Sequence, residues 1–160
     1  MALGIVVALG GCRKKTDQTP PAAKENDANV VSADWMTDFE MAKKKAVNEG
    51  KDLLINFTGS DWCGWCIRLD EEVFSQQVFV SEAPTRFVLV KIDFPRKTSL
   101  PSKLKKQNDR LAKDFQIQGF PTIILADSTG KPYAKTGYQE GGAMAYLQHL
   151  AQLRLQRPAK

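Results

Sequence analysis

Two of the chain's three cysteines stand together in the run Trp62-Cys63-Gly64-Trp65-Cys66. Ahead of them lie the apolar run Leu53-Leu54-Ile55-Asn56-Phe57 and a turn-like segment, Thr58-Gly59-Ser60-Asp61. Behind them Ile67, Leu69, Val73 and Phe74 form a helical pattern. The pair therefore sits where a buried strand hands over to a helix. A helix N-terminus carries partial positive charge and free N–H donors. A thiol placed there loses its proton more readily, and the thiolate is the nucleophile. Cys66 lies one helical turn beyond Cys63, close enough to close a disulfide with it. That geometry suits a reversible dithiol/disulfide couple.

Other chemistries use the same residue types. Half of many zinc sites look like C-x-x-C, but a closed zinc site takes about four ligands. Only Cys12 and His149 remain as further Cys or His ligands, so a copper or zinc carrier stands as an alternative and no metal site is assigned. A static structural disulfide is another, though it would close only a tiny loop. His149, the one histidine, is far in sequence from Cys63. A Cys–His nucleophile would need that pair adjacent and an orienting group, so a surface or packing histidine is the default. No cofactor is expected. The net charge of +5 is spread over runs such as Lys43-Lys44-Lys45 and Arg96-Lys97. These read as solvated helix faces, with a mild attraction to anionic headgroups as the functional counterpart. Nothing resembles a nucleic-acid module.

The elements around the cysteines follow from the rest of the chain, whose 160 residues suffice for one domain with a real core. Residues 2–10 are apolar or Gly, too few to span a bilayer. They fit the core of a secretory signal and end in Leu9-Gly10-Gly11-Cys12, which resembles a bacterial lipobox with Cys12 as the lipidated residue. No Lys or Arg precedes the apolar run, a departure that a start further upstream would explain. Residues 13–29 are polar with a Pro20-Pro21 pair and no large apolar side chain, which predicts a disordered tether. The folded domain is expected over residues 30–157. Ser32 or Asp34 is the candidate cap of a first helix running to about Asn48, with Trp35, Phe39, Ala42, Ala46 and Val47 on one face and Gly50 as its stop.

Strands are predicted over residues 53–57, 87–93, 122–126 and 132–138, the last two joined by Asp127-Ser128-Thr129-Gly130 turn chemistry. Helices are predicted over residues 63–74, 76–83, 102–115 and 143–155, the last with Met144, Leu147, Leu150, Ala151 and Leu155 inward. The order implies an α/β fold, a mixed sheet with helices on both faces.

Trp62-Cys63-Gly64-Trp65-Cys66 after one strand and Gly119-Phe120-Pro121-Thr122 before another resemble the two signatures of the thioredoxin superfamily. Asp93-Phe94-Pro95 and Gly137-Tyr138 with Gly141-Gly142 resemble its exported bacterial branch of disulfide reductases. The resemblance covers about residues 30–155. It implies a thioredoxin-like fold, a central mixed β-sheet flanked by helices on both faces, and thiol–disulfide exchange. It assigns Cys63 as the attacking thiol and Cys66 as the resolving thiol, with Cys63–Cys66 as the redox-active disulfide. Trp62, Gly64, Trp65, Phe120 and Pro121 would line the substrate groove, with Pro121 in a cis-proline loop that leaves backbone open to a substrate strand.

Two positions depart from the family pattern. A buried Asp that usually helps move the resolving thiol's proton is replaced by Asn56, which cannot act as a general base, leaving water, Lys91 or Asp61 as proton-transfer support. The motif centre is Gly64-Trp65, without the His of strongly oxidising relatives. The expected function is thus an exported, lipid-anchored thiol–disulfide oxidoreductase of the periplasm or cell envelope, working as a reductase, with disulfide isomerase as the runner-up. Its expected partners are disulfide-containing exported proteins and an upstream membrane thiol reductant. A monomer is expected.

Overall fold

The computed structural model describes residues 32–158, together with Met1 and Gly4. The lipobox at Cys12 and the tether over residues 13–29 lie outside the described residues. Four strands form the sheet: β1 (Asp52–Thr58), β2 (Phe87–Asp93), β3 (Thr122–Ala126) and β4 (Pro132–Thr136). The strand order is β2-β1-β3-β4, with β1 parallel to β2 and antiparallel to β3, and β4 antiparallel to β3. Every residue of β1 is buried, as expected of a central strand covered on both faces.

The covering helices are α1 (Phe39–Glu49), α2 (Gly64–Leu69), α3 (Gln77–Glu82), α4 (Ser102–Asp114) and α5 (Gly142–Arg154). Successive strand side chains point to opposite faces, and this alternation divides the core in two. Leu54 and Leu89 pack with Leu69, Val73, Phe74, Phe79 and Tyr146 under α2, α3 and α5. Leu53, Ile55 and Val90 pack with Phe39, Ala42, Ala46 and Leu111 under α1 and α4. The helices on both faces, read from the order of elements, are thus present.

The first helix differs from its expectation. It begins at Phe39 and is capped by Asp38, whose carboxylate accepts the Met41 N–H at 3.0 Å. Ser32 and Asp34 precede it, because residues before the cap are drawn onto the sheet edge. Met36 forms a parallel bridge to Val90, and Trp35 packs against Phe74 and Phe79. A handful of contacts with the sheet outweighs local helix propensity there. Gly50 does end the helix, at φ 64°, in the left-handed conformation that suits glycine.

The two ends of β1 are chemically distinct. At its start the buried Asp52 carboxylate accepts the Tyr133 hydroxyl at 3.0 Å and the Arg154 Nε–H at 2.9 Å on one oxygen. Arg157 Nη1 lies 3.0 Å from the other oxygen, an ion pair without hydrogen-bond alignment. Burial, and then the Asp52 charge, push the Tyr133 hydroxyl far above the ordinary tyrosine range. At its other end β1 leads to the cysteines.

Candidate active site

The strand registers bring four connections to one end of the sheet. Thr58 pairs with Asp93, Phe57 with Thr122, and Ile123 with Thr136. The turn after β1, the loop after β2, the segment before β3 and the segment after β4 therefore converge. The turn after β1 leads into α2, and at that junction Cys63 and Cys66 are joined as a disulfide, their Cα atoms 5.2 Å apart. Cys63 is the N-cap residue of α2, and its Sγ accepts the Cys66 N–H at 3.3 Å. Both residues are nearly covered, Cys63 at 8% exposure and Cys66 at 5%, so Cys63, the expected attacking thiol, is the more exposed by a narrow margin. Gly64 leaves open space, since a Cβ there would meet nothing within 4 Å. Past α2 the chain continues as a π-helical stretch, Asp70–Phe74, a local form common at functional sites.

Trp62 packs toward the loop after β2. Its indole N–H donates to the Phe94 carbonyl at 2.7 Å, and its ring meets Phe120 edge-on at 6.0 Å, while Phe94 stacks on Phe120 at 5.1 Å. The ring lies over Gly59, where a Cβ would stand only 2.5 Å from the indole. Two carboxylates lock this region. Asp93 accepts the Ser60 N–H at 3.0 Å and also its hydroxyl. Asp61 accepts the N–H groups of Arg96 at 2.9 Å and Lys97 at 2.8 Å, one on each oxygen. The Arg96 N–H, more than any other group, holds the Asp61 carboxyl below the usual carboxylate range. Arg96 then lays its guanidinium 3.6 Å from the Trp62 ring centre.

Trp65 packs toward the segment after β4. It is 55% exposed and meets the Tyr138 ring at 5.1 Å. Arg68 caps both rings, at 5.5 Å and 5.3 Å from their centres. Its Nε–H donates to Glu72 at 2.6 Å, and the Tyr138 hydroxyl donates to the other Glu72 oxygen at 2.6 Å. The Tyr138 hydrogen bond first, and Arg68 second, hold the Glu72 carboxyl below its usual range.

The Phe120–Pro121 bond is cis. The Thr122 hydroxyl ties this loop by donating to the Gly119 carbonyl at 2.7 Å. Gly137 admits close approach, because a Cβ there would stand 3.2 Å from the Pro121 carbonyl. Beneath α2, Asn56 and Lys91 are paired in register on β1 and β2. By strand alternation they share the sheet face of Leu54 and Leu89, the face that α2 covers. Asn56 is buried and its Oδ1 has no hydrogen-bond partner. The structure thus gathers Trp62, Cys63, Gly64, Trp65, Cys66, Phe120 and Pro121 at one end of the sheet and sets Asn56 and Lys91 below them. Asp61 is committed to the loop after β2. His149 is half-buried on α5, with Nε2 2.9 Å from the Thr136 hydroxyl, a packing position.

Sequence reasoning quoted Asp93-Phe94-Pro95 and Gly137-Tyr138 but gave these residues no roles. It reads Arg96 only as part of a solvated helix face, whereas Arg96 lies in the loop between β2 and α4, and it misses Arg68 and Glu72. For Arg68 and Glu72 the i, i+4 spacing of opposite charges was a usable signal.

A disulfide at a strand-to-helix junction, facing a cis-proline loop at one end of a mixed sheet, defines a thioredoxin-like thiol–disulfide oxidoreductase. The chain belongs to the family described as the thioredoxin-like domain, which matches residues 39–153. It is 32% identical over 130 residues to the disulfide bond reductase DsbH of Chlamydia pneumoniae, covering 81% of this chain and 74% of that protein. It is 30% identical over 107 residues to the thioredoxin-related protein DsbJ of the same organism, covering 67% of this chain but only 30% of that protein. A solved structure described as DsbH oxidoreductase superposes with a TM-score of 0.73 at 27% identity, covering 91% of this chain and 96% of that one. These likenesses support the DsbH-like branch.

Proposed function

We propose that the chain is a disulfide reductase acting on exported proteins in the periplasm or cell envelope, anchored by lipid on Cys12. The observation that carries the direction of the reaction is the motif centre. Strong oxidants are made by stabilising the reduced form, and here Gly64 faces open space while Trp65 turns to Tyr138 and Arg68. Neither supplies an ionisable donor to the Cys63 sulfur.

In the reduced protein the Cys63 thiolate attacks one sulfur of a substrate disulfide. The substrate S–S bond breaks, a mixed disulfide forms, and the departing substrate thiolate takes up a proton. Cys66 then loses its proton and attacks the Cys63 sulfur, which releases the second substrate thiol and closes the Cys63–Cys66 bond. Two electrons pass to the substrate. A membrane thiol reductant upstream must return them. Trp62, Phe120 and Pro121 border the substrate strand, and Asn56 with Lys91 supports proton movement at Cys66. The protein works as a monomer.

Equilibration with glutathione tests the direction. The couple is expected near −270 mV, close to thioredoxin and far from about −120 mV for DsbA. A value as oxidising as about −150 mV would overturn the reductase assignment. Location has its own test. Cys12→Ala, expressed with the complete signal, is expected to lose lipid labelling, and unchanged labelling would end the lipoprotein reading.

A further inference from the structure

The Trp62 flank carries a charge that the exchange chemistry does not use. Arg96 is exposed and stacked on Trp62 at 3.6 Å. Its main chain is fixed from below, because Asp61 grips the N–H groups of both Arg96 and Lys97. The ring it rests on is fixed too, through the indole bond to the Phe94 carbonyl. Among the described residues no carboxylate lies within ion-pair distance of the Arg96 guanidinium. Arg68 is the counter-example: it also caps aromatic rings beside the cysteines, yet its charge is answered by Glu72 at 2.6 Å.

A guanidinium stacked on an aromatic ring keeps its edge N–H donors free, and these match a carboxylate as a two-pronged fork. Holding the cation in place beforehand reduces the ordering cost of binding. We propose that Arg96 determines specificity, reading a carboxylate on the substrate segment beside the target half-cystine. The preferred substrates are then proteins whose reducible disulfides are flanked by Asp or Glu. This deepens the reductase reading above and rests on it. An exposed cation could equally attract a lipid headgroup, but its seat on the tryptophan next to Cys63 places it where a bound polypeptide must pass.

The test uses pre-reduced full chain in single turnovers against two cystine peptides, identical except for Glu or Lys at the residues flanking the half-cystines. The wild type is expected to reduce the Glu peptide roughly tenfold faster, about 1.4 kcal/mol of discrimination, with the preference shrinking as salt is added. Arg96→Glu should invert the ratio, and Arg96→Lys should keep its sign at smaller size. Taking the ratio within each variant cancels any general effect on Cys63, and the wild-type salt series stands even if a variant folds poorly. Equal rates for the two peptides in the wild type would overturn the proposal and leave the reductase intact. An unchanged ratio in folded Arg96→Glu would overturn it as well. Reduction of neither peptide would bring down the reductase reading itself.

Discussion

The two tryptophans of the motif are set in the same materials, an aromatic neighbour, an arginine and a carboxylate, but the wiring differs. On the Trp62 flank the carboxylates bind chiefly backbone: Asp61 holds the N–H groups of Arg96 and Lys97, and Asp93 holds that of Ser60 together with its hydroxyl. The arginine is left without an ion pair. On the Trp65 flank the carboxylate binds side chains, joining Arg68 to Tyr138 through Glu72, and the charge is closed. Backbone anchoring fixes a loop whatever the side chains do, so it suits a surface that must be ready before a substrate arrives. A side-chain lock ties together groups that are individually free to rotate, and Trp65 remains more than half exposed above it.

The largest effects separate the cysteines that adjoin the two flanks. Cys63→Ala is expected to abolish exchange. Cys66→Ala is expected to accumulate mixed disulfides through Cys63, seen as a mass increase that a reductant removes. Full activity in Cys63→Ala would reassign the nucleophile.

Next comes Gly59→Ala. The new methyl would press on an indole that is already held by the Phe94 carbonyl and covered by Arg96. Overpacking of this kind costs about 1–3 kcal/mol. The melting temperature and the reduction rate should fall together, whereas a silent substitution would mean that the Trp62 flank yields easily to added bulk. A smaller loss, about 1 kcal/mol, is expected for Trp62→Phe, which keeps an aromatic ring but leaves the Phe94 carbonyl without its donor. Denaturant unfolding measures it.

The smallest effect belongs to the other flank. Glu72→Gln should barely move the melting temperature, because the ion pair it removes is exposed. It should nevertheless free Arg68 and raise the preference for acidic peptides, making the two flanks alike. Lowering the pH opens the same lock by titration, but without the gain in preference, because a peptide Glu, ordinarily at about 4.3, is protonated first. The Glu72 carboxyl lies below its usual 4.5 in the folded protein, so the lock is fully present above that value and is lost only as the pH falls through the lowered one. Tyr138 hydroxyl exchange, followed by NMR across that range, reports the loss.

The sheet, its two-sided cover, the paired cysteines and the proline loop were legible because each rests on a short run of residues. What escaped depends on partners distant in sequence. The Asp38 cap could not be chosen over Ser32 or Asp34 without knowing that Met36 pairs with Val90. On α5 the helical pattern alone puts Met144, Leu147, Leu150, Ala151 and Leu155 inward. The structure buries Ala143, Tyr146 and Leu150 and leaves Met144 and Leu155 exposed. Tyr146 is the deeper residue because its hydroxyl finds the Gly137 carbonyl at 3.0 Å, which a helical pattern alone does not reveal. Val47, expected on the apolar face of the first helix, is exposed, as is Ile67 of the helical pattern after the cysteines. Asp61 read as a carboxylate near the thiols, and only the fold of the loop after β2 shows that its oxygens are already taken.

The buried Asp52 sets a rule for anyone trimming this domain. The family match closes at residue 153, yet the two guanidiniums that answer the Asp52 charge, Arg154 and Arg157, stand just past it. Stripping the partners from a buried ion pair costs about 3–5 kcal/mol, a large part of the 5–15 kcal/mol that holds a typical domain together. A fragment cut at the family boundary should express as an unstable or aggregating product, while one carried through residue 157 should melt like the parent. The useful edge of this domain is therefore drawn by electrostatics a few residues beyond where similarity stops.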